Sequence, residues 1–309
     1  MNEWNIKTSV LCECRRQAIN KFTELNVKPV YITLSGSHLY GFPSKDSDID
    51  IRCCHIMDTK DMFHLTRAVE VEPKETDTIE QIEKHIRDIE ENRKKRMCDK
   101  TSVLQWDGEI EIDGNKTPIE FESHEIKKVI GLAMGNNSNI LEHIFSKNLL
   151  TSDPLVFTQL KKLTKESISK IVYNPYHGLA EFNYKKFIES MNPTYRDKLV
   201  KKYLYVIRAY LVGTYALETG EIEPNIRFHL KKDWNYDSKE DRILINELID
   251  KKEDAEYQIT AIDHKRCREV VARLKGRMEL ARISSLLPNK PTNHAAWDDF
   301  IYNVRLRNL

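Results

Sequence analysis

The chain has 309 residues, of which 40% are hydrophobic and 31% charged, and its formal net charge is +1. This composition predicts a soluble globular protein, and the length is sufficient for two domains. Because no run of about 18 apolar residues occurs and the start lacks the apolar segment of a secretory signal, neither a membrane span nor export is expected. The six cysteines do not have the spacing of a zinc site or of a secreted disulfide framework, which predicts reduced thiols and a cytoplasmic location.

The first predicted elements are a helix and a buried strand. Residues 6–25 place apolar side chains at three- and four-residue steps, which gives a helix one apolar face. The β-branched, apolar run of residues 30–34 is typical of a buried strand. It ends at residues 35–37, Ser-Gly-Ser, which we call the Gly-Ser corner. A glycine at such a corner allows backbone amides to approach a ligand closely.

A pair of aspartates occupies the next predicted strand, residues 48–51. Because side chains alternate between the two faces of a strand, Asp48 and Asp50 would share one face while the intervening isoleucines point to the core. Neighbouring carboxylates repel each other, and a divalent cation between them removes that repulsion. Together with the Gly-Ser corner, this pair predicts transfer chemistry on a nucleoside triphosphate. The alternative is a solvated strand edge between ordinary turn residues.

The rest of the first half is predicted to hold two helices, a short strand and a hairpin. The helices and the short strand fall at residues 60–65, 73–100 and 69–71. Residues 103–123 alternate as strands around an Asp-Gly turn, which predicts the hairpin. On its return strand Glu120 and Glu122 share the face opposite two apolar neighbours, which is also the pattern of a charged outer face of a hairpin.

The second half is predicted to be helical. A helix from residue 123 to 135 closes the first half, and a loop at residues 151–154 marks a boundary between predicted domains 1–150 and 151–309. The first of these carries a net charge of −5 (21 Lys+Arg, 26 Asp+Glu) and the second +6 (28 and 22), a modest indication of a nucleic-acid enzyme. A basic helix at residues 263–287 would either follow an RNA backbone or balance acidic neighbours, and the second interpretation is favoured.

The motif GSHLYGFPSKDSDIDIR, beginning at Gly36, resembles the signature of the DNA polymerase β nucleotidyltransferase superfamily. The resemblance is closest to the RNA-repair-pathway RlaP or YcgL-like family, because Tyr40, Gly41, Asp46 and Arg52 also match that family's pattern. Two downstream segments are similar to the family as well. Residues 136–142 resemble its N-P-N-x-x-E segment, with Ser138 in place of the proline, and residues 201–208 resemble its K-K-Y-F-Y-x-L-R segment.

The resemblance implies an α+β fold in which a polymerase-β-like domain with a mixed sheet precedes a helical domain. It further implies that Asp48, Asp50 and a third carboxylate hold two Mg²⁺ ions, with Mn²⁺ as an alternative metal. Glu120 falls where the family usually has aspartate, and Glu122 remains an alternative. Asn139 and Glu142 are further candidates for the pocket, although helix capping explains the asparagine equally well.

The same resemblance assigns nucleotide binding to the Gly-Ser corner and to several downstream residues. These are Gly36, Ser37, Tyr40, Arg52, Lys202 and Arg208. For Lys202 and Arg208 an ordinary surface helix is an equally good interpretation, Tyr205 would stack on a base, and Tyr203 is expected in the core.

The implied reaction transfers a nucleotide from an NTP to a hydroxyl, with an RNA (tRNA) 3′ end as the acceptor. The alternatives are transfer to a protein side chain or a small molecule, and a non-catalytic module that binds nucleotide or RNA.

Overall fold

The computed structural model describes residues 6–44, 47–59, 103–112, 114–190, 198–231, 238–254 and 259–307. The elements predicted at residues 60–65, 69–71 and 73–100 lie outside these ranges, as does Asp46. Within them, a five-stranded sheet is followed by a long helical region, which confirms the predicted α+β fold.

The sheet is mixed, and it contains one pair of parallel neighbouring strands. Its strands are β1 (Lys28–Leu34), β2 (Ile49–Ile56), β3 (Val103–Ile112), β4 (Asn115–Glu125) and β5 (Leu149–Ser152). They lie in the order β3-β4-β2-β1-β5, with β2 parallel to β4 and every other neighbouring pair antiparallel. The predicted hairpin is therefore β3–β4, and a crossover leads from β2 to this pair.

Eleven α-helices lie in the described ranges. They are α1 (Thr8–Glu24), α2 (Gly36–Tyr40), α3 (Ile126–Met134), α4 (Ser138–Phe145), α5 (Pro154–Ser167), α6 (Tyr173–Asn183), α7 (Leu199–Thr219), α8 (Ile226–Lys231), α9 (Lys239–Glu253), α10 (Ala261–Ser284) and α11 (His294–Leu306). A short 3₁₀ turn precedes α6, and a π-helical segment (Tyr184–Glu189) follows it. None of the described helices combines the length and apolar character that crossing a membrane requires.

The predicted start of α3 at Ser123 is wrong by three residues. Strand β4 continues through Glu125, because its ladder with β2 extends to a pairing of His55 with Glu125. The Glu125 carboxylate then accepts a hydrogen bond of 2.7 Å from the backbone N–H of Lys127 and caps the new helix. Strand β4 thus continues two residues beyond the predicted strand, which ends at Ser123.

One face of the sheet is apolar and is covered by α1. Ile51 and Phe121 are fully buried on this face, and they pack against Cys14, Ala18 and Phe22 of the helix. Side chains one residue away on each strand point to the opposite face. The alternation therefore leaves Asp50 and Glu120 together on the other side of the sheet.

A second core spans the predicted domain boundary. It joins residues of β1 and α3 to Leu160 of α5 and to Trp297 and Phe300 of α11. Thr151 and Ser152 belong to the edge strand β5 rather than to a loop, since they pair with β1. The division at residue 150 stays a prediction, and this core is shared across it.

The third core fills the helical region and reaches into the Gly-Ser corner. Helix α7 is buried along most of its length, and Tyr203 is fully enclosed, as predicted. Leu39, Tyr40 and Phe42, which belong to α2 and the turn after it, are part of the same core. The helical region is thus packed directly against the segment that follows β1.

We expect Trp297→Ala to lower the free energy of unfolding by about 3–5 kcal/mol, because it leaves a large cavity in the second core. The Ser167 hydroxyl also loses the 2.8 Å hydrogen bond that it accepts from the indole N–H. Urea denaturation followed by circular dichroism measures the change. Tyr302→Ala is the matched control on the same helix, because Tyr302 is 64% exposed and its loss should cost no more than about 0.5 kcal/mol. Equal losses for the two variants would show that α11 does not stabilise this core.

Candidate active site

The Gly-Ser corner lies directly on Asp50. Gly36 begins α2 with φ of +61°, and a Cβ at this position would stand 1.8 Å from the Asp50 Oδ2 atom. The backbone N–H of Ser35 donates a 2.8 Å hydrogen bond to the Asp50 carbonyl. Glycine is therefore required here both for its backbone conformation and for the space that the carboxylate occupies.

Two carboxylates meet on the polar face of the sheet. In the parallel ladder of β2 and β4, Asp50 is directly paired with Glu120. The Arg52 guanidinium lies between them, 3.1 Å from the Asp50 Oδ1 atom and 2.9 Å from the Glu120 Oε1 atom. Asp48, the other aspartate of the predicted pair, is exposed just before β2 begins.

The charges around Asp50 favour a bound cation. Burial raises the pKa of the Asp50 carboxyl, and the carboxylates of Glu120 and Asp48 raise it further. The positive charges of Arg52 and Lys201 oppose this rise. The Asp50 carboxylate thus lies where its negative charge is disfavoured, and an added positive charge would stabilise that charge.

The donor atoms at this position fit a hard divalent cation, although the side chains are not arranged around one. Asp48, Asp50 and Glu120 would supply only carboxylate oxygens, the ligands that Mg²⁺ and Mn²⁺ prefer. No group of three His, Cys, Asp or Glu residues in the described part of the chain is arranged to hold a metal ion. The Arg52 guanidinium supplies the positive charge between two of these carboxylates, so a metal there would replace it.

Glu122, the alternative third carboxylate, has partners of its own. It lies 3.1 Å from His124 Nε2 and accepts a 2.8 Å hydrogen bond from Gln105. The hydrogen bond with His124 is the main reason why the pKa of Glu122 falls to about 2, and that with Gln105 adds to it. Glu122 lines the cavity described next, whereas Glu120 shares Arg52 with Asp50. The register of β2 and β4 pairs Glu120 with Asp50 and therefore favours Glu120 as the third carboxylate. This assignment stays a prediction.

A cavity of about 360 Å³ opens between the polar sheet face and helices α3, α4 and α7. This volume lies within the range of small-molecule sites. Its wall is formed by Ser35, Gly36, Tyr40, Asp50, Arg52, Glu122, His124, Leu132, Asn137, Asn139, Ile140, His143 and Tyr205. Ser37 is not among them: it is buried, and its carbonyl accepts hydrogen bonds from Gly41 and Phe42.

His143 is a cavity residue that the sequence analysis missed. It is buried, and its Nε2 atom lies 3.1 Å from the Ser35 hydroxyl, so it connects α4 with the Gly-Ser corner. Burial, assisted by the nearby charge of Arg52, lowers the pKa of His143 to about 3. The available signal was its position four residues after Asn139, which places both side chains on one face of a helix.

Arg208 supports the cavity from below and does not line it. Its guanidinium is buried and lies 2.7 Å from the equally buried Glu142 carboxylate. It also stacks 3.6 Å above the ring of Tyr40, whose edge-to-face partner is Tyr205. Arg208 and Glu142 therefore form an ion pair with each other, and this pair supports the two tyrosines that line the cavity.

The predicted Lys202 also points elsewhere. Its Nζ atom lies 3.7 Å from the ring centroid of Phe187, and burial lowers the pKa of its ammonium group. The neighbouring Lys201 lies on the cavity side, since its Nζ atom is 5.9 Å from the ring of Tyr205. Nucleotide binding by Lys202 and Arg208 stays a prediction that their contacts do not favour.

Comparison with known proteins identifies the family of this chain. Carboxylates on two parallel strands beside a Gly-Ser corner are expected of the DNA polymerase β class. A family model described as RlaP, the RNA repair pathway DNA polymerase beta family, matches residues 15–303. The chain belongs to this family.

Two relatives are similar to the chain over part of its length. "Uncharacterized protein MJ0002" of Methanocaldococcus jannaschii is 27% identical over 195 residues, which cover 63% of this chain and 63% of that protein. "Uncharacterized protein YcgL" of Bacillus subtilis is 24% identical over 242 residues, or 78% of this chain and 70% of that protein. The chain thus spans less than two thirds of the archaeal relative.

We expect Gly36→Ala to disrupt the site, because the added methyl group would overlap the Asp50 carboxylate. Gly114→Ala is the matched control: Gly114 also has a positive φ, of +81°, but a Cβ there would meet nothing within 4 Å. The control carries only the backbone cost, about 1–2 kcal/mol, whereas Gly36→Ala adds displacement of Asp50. Urea denaturation measures the free energy of unfolding of both variants. Equal losses would contradict the close packing of Gly36 on Asp50.

The buried His143 predicts an acid-dependent loss of stability. Its imidazole stays neutral in the folded chain down to about pH 3, whereas in the unfolded chain it binds a proton below its usual pKa of 6.5. Between these values unfolding takes up one proton at this residue, so its contribution lowers the free energy of unfolding by about 1.4 kcal/mol per pH unit as the pH falls. His143→Gln should reduce the measured slope by this amount between pH 6 and about 4.5. Denaturation curves at several pH values test it, and identical slopes would contradict the prediction.

Proposed function

We propose that the protein is a Mg²⁺-dependent nucleotidyltransferase that transfers a nucleotide from an NTP to a hydroxyl acceptor, with an RNA 3′ end as that acceptor. The observation that carries the proposal is the pairing of Asp50 with Glu120 on parallel strands, directly under Gly36. The description of the family names both DNA polymerase β and an RNA repair pathway. The first supports the proposed reaction, and the second supports RNA as the class of acceptor.

In this proposal Asp48, Asp50 and Glu120 would hold Mg²⁺, or Mn²⁺ in its place. A bound divalent ion would neutralise phosphate charge and lower the pKa of the attacking hydroxyl. The acceptor oxygen forms a bond to the α-phosphorus while the bond from that phosphorus to the pyrophosphate oxygen breaks. The proton of the hydroxyl passes to a carboxylate, for which Glu120 is the candidate.

The cavity offers distinct surfaces to the parts of a nucleotide. Ser35 and Gly36 present a hydroxyl and a backbone without a side chain, to which phosphate oxygens can come close. Once released from the two carboxylates, the Arg52 guanidinium would remain beside the same cavity and neutralise a phosphate. The rings of Tyr40 and Tyr205 provide the surface on which a base would stack.

The finer features stay proposals. A tRNA end as the acceptor and a cytoplasmic location rest on the sequence interpretation. The cysteines at positions 12, 14, 53, 54 and 267 are all unpaired, which agrees with a reducing compartment.

The test is incubation with each α-labelled NTP, Mg²⁺ and tRNA with intact or trimmed 3′ ends. We expect label on RNA, and a loss on the order of 10²-fold or more in Asp50→Asn and Glu120→Gln, because each removes a charge at the reacting phosphate. Glu122→Gln is the matched control on the same strand, and it should retain most activity because Glu122 is paired with His124.

Three outcomes would change the assignment. A greater loss in Glu122→Gln than in Glu120→Gln would make Glu122 the third carboxylate. Label on protein instead of RNA would favour modification of a side chain. NTP binding without any labelled product would favour a non-catalytic nucleotide-binding module.

A further inference from the structure

Four lysines converge beside the start of α7. Lys186 belongs to the π-helical segment before it, Lys198 precedes the helix, and Lys201 and Lys202 lie in its first turn. The Lys186 and Lys202 Nζ atoms lie 5.2 Å and 3.7 Å from the same ring, that of Phe187. Burial, and after it the charges of Lys201, Lys198 and Lys186, lower the pKa of Lys202. Such a cluster of like charges disfavours itself unless anions approach it.

Within the part of the chain that the structure describes, these lysines lack the acidic partners that other cations of the fold have. Among the described residues, no carboxylate oxygen lies within 4.0 Å of any of the four ammonium groups. On α10, by contrast, Lys275 is 2.8 Å from Glu181, and Arg277 is 2.7 Å from Glu218. The basic helix α10 is therefore largely balanced within the fold, as the favoured interpretation predicted, whereas no carboxylate of the described ranges balances the four lysines.

Aromatic rings are interleaved with the lysines. Phe182 is 58% exposed, and the Lys186 Nζ atom lies 5.1 Å from its ring centroid. Phe187 lies under Lys186 and Lys202, 5.2 Å and 3.7 Å from their Nζ atoms. An exposed ring among cations is the combination that binds a nucleic-acid strand, because bases stack on the ring while phosphates contact the ammonium groups.

The surface is continuous with the cavity. Lys201 lies 5.9 Å from the ring of Tyr205, which lines the cavity, and its charge acts on the Asp50 carboxylate. From Lys201 the charges continue through Lys202 and Lys186 to Phe182. They thus lead from the carboxylates outward, in the direction that a chain entering the site would take.

We propose that this lysine surface, formed by Lys186, Lys198, Lys201, Lys202 and Phe182, binds the single-stranded end of the RNA acceptor. The inference rests on the proposed function and deepens it by assigning the acceptor a binding surface. A strand is favoured over the triphosphate of an NTP because the surface extends beyond the cavity and ends at an exposed ring. Both are features that repeated phosphates and successive bases would use.

A second basic surface provides a matched control. Lys161 and Lys162 are exposed on α5, where they line a groove with Lys147 and Lys165. The latter two are paired with glutamates, Lys147 with Glu223 at 2.7 Å and Lys165 with Glu221. Removing Lys161 and Lys162 changes the net charge as much as removing Lys186 and Lys198 does, but at a different place.

The experiment measures binding of a 5′-fluorescein-labelled, unstructured oligoribonucleotide by anisotropy, in EDTA and at several salt concentrations. Lys186→Gln/Lys198→Gln changes two exposed side chains outside the cavity. Each lost phosphate contact should weaken binding about fivefold at 0.1 M salt and reduce the log–log salt slope by about 0.7. The double variant should therefore lose about 25-fold in affinity and about 1.4 in slope. Phe182→Ala should weaken binding about fivefold or more with the slope unchanged, since stacking carries no charge.

Lys161→Gln/Lys162→Gln should bind the oligoribonucleotide as the wild type does. If this control weakens binding as much as Lys186→Gln/Lys198→Gln does, or if the latter binds normally, the proposal is overturned. Absence of RNA binding by the wild-type protein would overturn it as well.

Two further measurements distinguish this inference from triphosphate binding by the same lysines and from the proposed function. ATP binding by Lys186→Gln/Lys198→Gln should match the wild type, and lost ATP affinity with intact RNA binding would assign the lysines to the triphosphate and overturn the proposal. RNA binding at the lysine surface without any nucleotide transfer would refute the proposed function and support the surface. Nucleotide transfer to RNA, together with unchanged RNA binding by the double variant, would support the proposed function and overturn the lysine surface.

Discussion

The buried ion pair between Glu142 and Arg208 is the interaction on which the geometry of the cavity depends. Both side chains are almost completely enclosed, so loss of either one would leave an uncompensated charge in the interior, a cost of about 3–5 kcal/mol. The pair joins α4 to α7, and the guanidinium also stacks on Tyr40 at the end of α2. One contact therefore fixes the Gly-Ser corner, the helical region and the aromatic wall relative to each other.

The sheet makes the complementary contribution, because its two faces have opposite chemistry. Alternation along β2 and β4 places apolar side chains under α1 and carboxylates toward the cavity. The carboxylates are held together by Arg52, which offsets their repulsion where no metal is bound. The site is thus built so that positive charge, from this side chain or from a cation, is always favoured between the strands.

Local patterns in the sequence predicted what depends on neighbours in the chain. The strand period identified the faces of Asp50 and Glu120, and the helical period identified α1. Pairing of distant segments is beyond such patterns: the predicted loop at residues 151–154 includes the last two residues of β5, because an edge strand is defined by its partner β1. Helical spacing likewise could not show that Arg208 is buried against Glu142, or that Lys201 rather than Lys202 faces the cavity.

The packing of α11 constrains the order in which the chain reaches its final structure. Trp297, Phe300 and Val304 complete a core whose other buried members lie at residues 30–163, and the Arg305 guanidinium reaches Glu125 at 2.6 Å. During synthesis on the ribosome, this core must wait until residue 304 has emerged, long after the sheet itself is made. Contacts so distant in sequence fold slowly, so the nascent protein exposes an unfinished apolar surface that chaperones would have to protect.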